Sequence, residues 1–187
     1  MRKHIVLGAA LLAGASGTAL AADGLSYSYV QAGYERGDWN LYDVTLSGFS
    51  VAGSAAFGEN FFGFASYADG SKSGAHLKPL SAGVGYHYGL GTSLDLVTGA
   101  SFESLKVTGA SSESGWGLGL GLRGVVGNAE LQGGVKYVDI GDFGNDTAFN
   151  IGGRYNFTEM VSAGLDITKW DDLDLTQFSL TLRYSFN

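Results

Sequence analysis

The sequence predicts an all-β protein that forms a closed antiparallel transmembrane barrel of about ten strands. Apolar and polar residues alternate along most of the chain, short and long connections alternate between these segments, and an export signal precedes them. The alternation is clearest near the C-terminus, where every second residue from Phe178 to Phe186 is apolar and the residues between are polar. Because side chains on a strand point to opposite faces with a period of two residues, such a segment has one apolar face.

The export signal is predicted to occupy residues 1–21. Arg2 and Lys3 form a basic region before a short apolar run, and Ala19-Leu20-Ala21 is a cleavage motif of small residues. The apolar run is about half the ~20 residues that a membrane-spanning helix needs, which disfavours an uncleaved anchor. We therefore expect cleavage after residue 21 and one mature outer-membrane barrel domain over residues 22–187.

The composition fits a β protein and limits the function classes. The chain has 31 glycines, 11 phenylalanines, 10 tyrosines, one proline and no cysteine, so disulfides and thiolate sites are excluded. Cleavage removes two of the 11 basic residues and none of the 18 acidic ones, and 9 against 18 leaves a net charge of −9. Nucleic acid is not an expected partner, because its phosphates need a basic face.

Ten segments show the period of two residues between turn-forming residues. Each is close to the ~9–11 residues that a tilted transmembrane strand requires. The predicted strands are Tyr27–Glu35, Val44–Phe57, Phe61–Ala68, Leu80–Tyr88, Ser93–Ser104, Trp116–Val125, Glu130–Val138, Ala148–Tyr155, Val161–Thr168 and Gln177–Phe186.

The connections between these segments alternate in length. Outer-membrane barrels place short turns in the periplasm and longer loops outside, and an even strand count puts both termini in the periplasm. The only proline, Pro79, falls in a predicted long loop, where it removes no ladder hydrogen bond. The short connections are residues 58–60, 89–92, 127–129 and 156–160, and the longer ones are 36–43, 69–79, 105–115, 139–147 and 169–176.

The charged residues within the predicted strands share the face opposite the apolar one. If Phe102, Leu120, Tyr137, Ile151 and Leu165 face lipid, no charge in a strand interior does. Lipid requires this, since a lysine or arginine on a barrel's outer face at the bilayer midplane costs ~2–4 kcal/mol. A soluble barrel with an apolar interior would reverse the arrangement. The residues predicted to form a lumen charge network, structural or pore-lining, are Glu35, Asp95, Glu103, Arg123, Glu130, Lys136, Arg154, Asp166 and Arg183.

Sequence parity gives the face of each charge but not its height in the barrel. As hypotheses, Glu35 pairs with Arg183 and Glu103 with Arg123, and Asp166 lies between the strands that carry Arg154 and Arg183. Tyrosine and tryptophan near strand ends are typical of interfacial girdles. The girdle residues predicted on this basis are Tyr34, Trp39, Tyr42, Tyr67, Tyr88, Trp116, Tyr137, Tyr155, Trp170 and Tyr184.

No pattern indicates a catalytic residue, a metal site or a cofactor. Residues 119–124 match G-x-G-x-x-G, but they lie inside a predicted strand rather than between a strand and a helix. The acidic residues of 139–146 and 171–174 lack the spacing of a calcium loop, so we expect solvated loops, with weak divalent bridging to lipopolysaccharide as the alternative. A barrel protease would need a histidine beside an acid at the outer rim, and His76 with Asp38, Asp43 or Asp69 is the nearest candidate.

Four segments, residues 22–30, 48–54, 84–88 and 183–186, resemble a family of small bacterial outer-membrane β-barrel proteins. The family comes from plant-associated Gram-negative bacteria and was once proposed as a quorum-sensing and immune-eliciting factor. The resemblance implies a ten-stranded barrel without catalytic residues. It also implies a C-terminal assembly signal, here Tyr184 and Phe186, read by the barrel-assembly machinery after transport by periplasmic chaperones, although Asn187 follows the last aromatic residue.

We therefore expect a monomeric outer-membrane barrel with a structural or surface-interaction role and a polar, largely plugged lumen. Its other partners would be outer-membrane lipid and lipopolysaccharide. Two alternatives stay open: a narrow porin-like channel for small solutes or ions, and a membrane-embedded enzyme.

Overall fold

The protein's structure, a computed structural model, describes residues 24–39 and 44–186. The described strands form one closed barrel in which each pairs antiparallel with its neighbours in sequence, and the first pairs with the last. The strands are β1 (Tyr29–Trp39), β2 (Val44–Phe57), β3 (Phe61–Lys72), β4 (Ala75–Gly89), β5 (Leu94–Val107), β6 (Glu113–Val126), β7 (Ala129–Asp139), β8 (Asn145–Asn156), β9 (Val161–Trp170) and β10 (Leu175–Ser185).

The predicted ten-stranded barrel is confirmed. A 3₁₀ turn at Gly141–Phe143 is the helical element of the described chain. Among the described residues, no helix has the length and apolarity to cross a membrane. The predicted signal peptide lies outside the described residues and stays a prediction.

The strands project further at one end of the barrel than the sequence pattern predicts. We call this the loop end, and the opposite end, with both ends of the described chain, the turn end. Residues 69–79 were predicted as a long loop, but β3 and β4 continue to a two-residue turn at Ser73 and Gly74, whose φ angles are 52° and 84°. Positive φ at both central residues is typical of the type I′ hairpin turn, whose twist matches the strands it joins.

Pro79 therefore lies in β4 and not in a loop. Its position opposes Leu105 of β5, while the ladder between β3 and β4 is interrupted at Lys78 and Pro79. This interruption accommodates a residue that has no N–H to donate. The other described loop-end connections are also short, over residues 108–112, 140–144 and 171–174.

Apolar side chains cover the outside of the barrel from the turn end to about the level of Tyr67, Leu80 and Phe102. We call this surface the apolar belt. The outward residues Phe49, Leu120 and Ile151 are 74%, 52% and 66% exposed, as expected for side chains that contact lipid instead of protein.

Beyond the apolar belt, at the loop end, the side-chain arrangement reverses and apolar residues point into the barrel. Trp39 and Trp170 were predicted to belong to an interfacial girdle, but both are buried inside the barrel. They belong to a group of buried apolar residues that we call the loop-end cluster. Its members are Trp39, Leu77, Leu105, Val138, Ile140, Ala148, Trp170, Leu173 and Leu175.

Candidate functional site: the barrel interior

Below the loop-end cluster, the interior is polar and charged. All nine residues of the predicted lumen network point inward, eight of them buried and Asp166 half-buried. They divide into a group at the turn end and a group at mid-barrel. Their partners are mostly not those hypothesised from sequence.

Glu130 organises the turn-end group. Arg123 Nε donates a hydrogen bond of 2.6 Å to Glu130 Oε1, and Arg183 Nη1 lies 3.6 Å from the same oxygen. Arg183 Nε and Nη2 also donate to Gln31 Oε1 at 3.1 and 3.0 Å. The Arg183 guanidinium lies 3.8 Å from the ring centre of Tyr29, a cation–π contact that a desolvated arginine favours. One carboxylate thus interacts with two buried guanidiniums.

The segment before β1 enters the turn end of the barrel. Tyr27 was predicted to begin the first strand, but it precedes β1 and its side chain is completely buried. Its hydroxyl donates to Asp95 Oδ2 at 2.6 Å, and its ring stacks on His87 with centres 4.2 Å apart. Arg123 Nη1 donates to the carbonyl of Ser26 at 3.1 Å, which fixes the segment to the wall.

The Phe62 ring packs against Tyr27, with ring centres 5.5 Å apart. A side chain at Gly85 would overlap this ring, because a Cβ there would lie 2.0 Å from Phe62 Cζ. Gly85 is therefore required for the aromatic packing that holds the N-terminal segment.

The mid-barrel group is held by both charged and neutral partners. Lys136 Nζ lies 2.6 Å from Glu103 Oε1, which also accepts hydrogen bonds from Ser81 at 2.9 Å and Ser101 at 2.5 Å. Gly117 leaves room for this cluster, since a Cβ there would lie 3.0 Å from Lys136 Cε.

Glutamines bind the remaining carboxylates. Gln177 Nε2 donates to Glu35 Oε2 at 2.8 Å, and Gln132 Nε2 donates to Asp166 Oδ1 at 2.5 Å. Arg154 Nη2 donates to Gln31 Oε1 and to Thr181 Oγ1, each at 3.2 Å.

The hypothesised pairs Glu35–Arg183 and Glu103–Arg123 are wrong. The register places Gln31 opposite Arg183, and Glu35 four residues further along β1. At ~3.3 Å per residue this separates the two charges by roughly 13 Å. The described hydrogen bond of Asp166 goes to Gln132 and not to an arginine. Sequence reasoning missed the glutamines and Tyr27, although the glutamines share the parity of the charges.

Four spaces are described along the barrel interior. A cavity of about 100 Å³ lies beside Arg123, Lys136 and Asn150, next to a wall of small residues that includes Gly119 and Gly121. A second cavity of about 40 Å³ lies beside Glu35, next to Leu77 and Leu175 of the loop-end cluster, and a third of about 20 Å³ lies at mid-barrel. A wider vestibule of about 550 Å³ lies at the turn end and reaches Arg123, Glu130 and Arg183.

The histidine–acid pair considered in the enzyme alternative forms, but on the outer surface. His76 Nδ1 lies 2.7 Å from Asp69 Oδ1, and Lys78 Nζ lies 2.9 Å from Asp69 Oδ2. β3 carries Asp69, and β4 carries His76 and Lys78, on the outer face at the loop end. Among the described residues, no serine or threonine hydroxyl hydrogen-bonds to the His76 ring.

No family model matches this chain, and no curated protein matches its sequence. The family of plant-associated bacteria noted above therefore stays a prediction. Solved structures do share the fold. The chain is similar to the KdgM porin in complex with disordered oligogalacturonate, at 11% identity and a TM-score of 0.51, with 85% of this chain and 99% of that chain covered.

Two further solved structures are similar. One is an outer-membrane channel from Pseudomonas putida F1, at 8% identity and a TM-score of 0.50, with 85% of this chain and 96% of that chain covered. The other is Neisserial surface protein A, at 18% identity and a TM-score of 0.45, with 84% and 96% covered. At these identities the likeness shows the fold alone: this chain is a closed ten-stranded antiparallel barrel of the outer-membrane type.

Proposed function

We propose that this chain is an integral outer-membrane barrel with a closed lumen and a structural or surface-interaction role. Its short turns face the periplasm and its loop end faces the cell exterior. It acts as a monomer, assembled by the barrel-assembly machinery through a signal that includes Tyr184 and Phe186. The proposal assigns it no catalytic role.

The observation that carries the closed lumen is the loop-end cluster. Trp170 and Leu105 are completely buried and Trp39 is 7% exposed, all inside the mouth through which a solute would have to pass. An apolar constriction prevents conduction because water and ions do not enter it. These tryptophans point into the barrel and do not contact lipid, so their burial supports a role in closing the mouth.

The turn end supports the same proposal. Tyr27, bound to Asp95 and stacked on His87, occupies the interior next to the Arg123–Glu130–Arg183 group. The three cavities described between the ends, of about 100, 40 and 20 Å³, have room for a few water molecules and not for a hydrated solute path.

A narrow channel is the second candidate. The turn-end vestibule of about 550 Å³ favours it, because it brings solvent to the charged residues Arg123, Glu130 and Arg183. Two of the similar solved structures are a porin and a channel, although that likeness extends to the fold alone. Conduction would require the loop-end cluster to move.

Planar-bilayer recordings distinguish the two candidates. We expect no steady current steps from the wild-type barrel, and none from a variant that combines Trp39→Ala with Trp170→Ala, because Tyr27 and the packed mid-barrel still close the lumen after the loop-end cluster is opened. Trp116→Ala is the matched control, since Trp116 faces outward and is 47% exposed. Steady conductance of the wild type, unchanged by the double substitution, would favour the narrow channel.

A further inference from the structure

The basic residues that lie outside the lumen are all at one end of the barrel. Nine lysines and arginines follow the predicted signal peptide, and four of them point into the lumen. On the outer surface of the described turn end there is no lysine or arginine, and two of its turns carry Glu59 and Glu159. The five remaining basic residues, all at the loop end, are Arg36, Lys72, Lys78, Lys106 and Lys169.

Two of these cations form a pair on neighbouring strands. Lys78 of β4 and Lys106 of β5 are direct cross-strand partners. Both point outward, because their neighbours Leu77 and Leu105 are buried in the loop-end cluster. Like charges directly opposite each other destabilise a strand pair unless a counter-charge lies between or beside them.

The protein supplies only part of that counter-charge. Asp69 Oδ2 lies 2.9 Å from Lys78 Nζ, and the same carboxylate lies 2.7 Å from His76 Nδ1. The described contacts give Lys106 no acidic partner. The acidic loops of residues 140–144 and 171–174 join strands on the other side of the barrel. The β3–β5 side therefore keeps a local excess of positive charge.

The pair lies at the edge of the apolar belt. Leu80, two residues from Lys78 toward the membrane, is 41% exposed, and Phe102, four residues from Lys106, is 53% exposed. Lysine side chains at such a boundary extend along apolar surface and place the ammonium at the level of the lipid headgroups.

We propose that Lys78, Lys106 and His76 bind the phosphate groups of lipopolysaccharide in the leaflet around the loop end. The lysines act as point charges for phosphate oxygens, and Asp69 positions Lys78 and His76. The occupied site removes the repulsion between the two lysines. This inference rests on the proposed function, in particular on a loop end that faces the cell exterior.

The test measures, by native mass spectrometry, how tightly the purified barrel in a neutral detergent binds lipopolysaccharide. A basic residue near an anionic lipid surface contributes about fivefold in affinity, so Lys78→Gln with Lys106→Gln is expected to weaken binding about 25-fold. The matched control Lys72→Gln removes one charge at the hairpin tip and is expected to change binding less than about twofold. Lys78→Arg with Lys106→Arg should retain binding. Unchanged affinity in the double Gln variant, or an equal loss in Lys72→Gln, overturns the proposal.

Two further arms separate the possible explanations. Lipopolysaccharide without its lipid A phosphates should bind the wild type as weakly as the intact lipid binds the double Gln variant. If inorganic phosphate binds the wild type with the same dependence on Lys78 and Lys106 but lipopolysaccharide does not bind, the site is an ion site and the lipid proposal is wrong. Labelling of a Ser112→Cys variant on intact cells tests the orientation separately. A protected thiol in that variant contradicts the proposed orientation, whereas a labelled thiol combined with unchanged affinity in the double Gln variant contradicts only this inference.

Discussion

The loop end and the apolar belt are made from the same strands but carry opposite side-chain arrangements. On β5, Phe102 points outward and Glu103 inward within the belt, whereas further along Leu105 points inward and Lys106 outward. On β9, Leu165 points outward within the belt, while Trp170 is buried inside at the end of the strand. These strands therefore change from the arrangement of a membrane barrel to that of a soluble barrel along their length.

The reversal shows that the surroundings determine which face is apolar. Where lipid contacts the outside, apolar side chains must point outward and the polar groups remain inside. Beyond the lipid, water contacts the outside, and the interior is free to bury apolar surface as a soluble protein does. The loop end can therefore pack a core, and the belt region must satisfy its charges internally.

The largest expected difference in stability is between a variant that loses a buried carboxylate and a variant that loses an exposed one. Glu130→Ala leaves Arg123 and Arg183 without their shared carboxylate inside the barrel, and breaking a buried ion pair costs ~3–5 kcal/mol. Asp38→Ala removes a carboxylate that faces outward at the loop end and binds Arg36 at 3.2 Å. An exposed pair of this kind contributes at most ~1 kcal/mol. Urea unfolding in lipid vesicles measures the loss of stability in both variants. Equal losses would mean that Glu130 inside the barrel is hydrated like Asp38 on the surface.

A smaller difference in stability is expected when the same new charge is placed at two heights on the outer face. Leu120→Lys places a lysine on the apolar belt, where it is expected to cost ~2–4 kcal/mol if the position is near the midplane. Ser71→Lys places the same side chain outward near the loop-end hairpin, where a surface substitution changes stability by less than ~0.5 kcal/mol. The same unfolding measurement applies. Similar costs at the two positions would contradict the assigned edge of the apolar belt.

The same reversal explains which parts of the fold could be predicted from sequence. The ten strands were predicted because lipid enforces a strict period of two residues over most of each strand. Their loop-end extensions were not, because the apolar residues change faces between Leu77 and Leu80 and between Phe102 and Leu105. A change of parity resembles the end of a strand, so residues 69–79 were interpreted as a loop and Trp39 and Trp170 as girdle residues.

For the interior, the sequence predicted the face of the charged residues but not their partners. A closed barrel staggers its strands, and the stagger decides which residues share a height. This stagger places Glu130 near Arg183. It also places Glu35 next to Gln177, which donates a hydrogen bond to it. Neutral partners such as Gln31 and Tyr27 carry no charge that would mark them in the sequence. The N-terminal segment enters the barrel only because the barrel closes, so its contacts could not be predicted from local sequence.

Chemical access to the middle of the lumen tests the closed interior most directly. The chain has no cysteine, so a single introduced thiol is the only reactive one. Ser66 points inward beside the cavity of about 20 Å³ and is buried, whereas Ser112 lies exposed in a loop-end connection. With a charged, membrane-impermeant thiol reagent present on both sides of the vesicle membrane, Ser66→Cys should remain unmodified while Ser112→Cys reacts. Modification of Ser66→Cys at a rate close to that of Ser112→Cys would show a water-filled path and contradict the closed lumen.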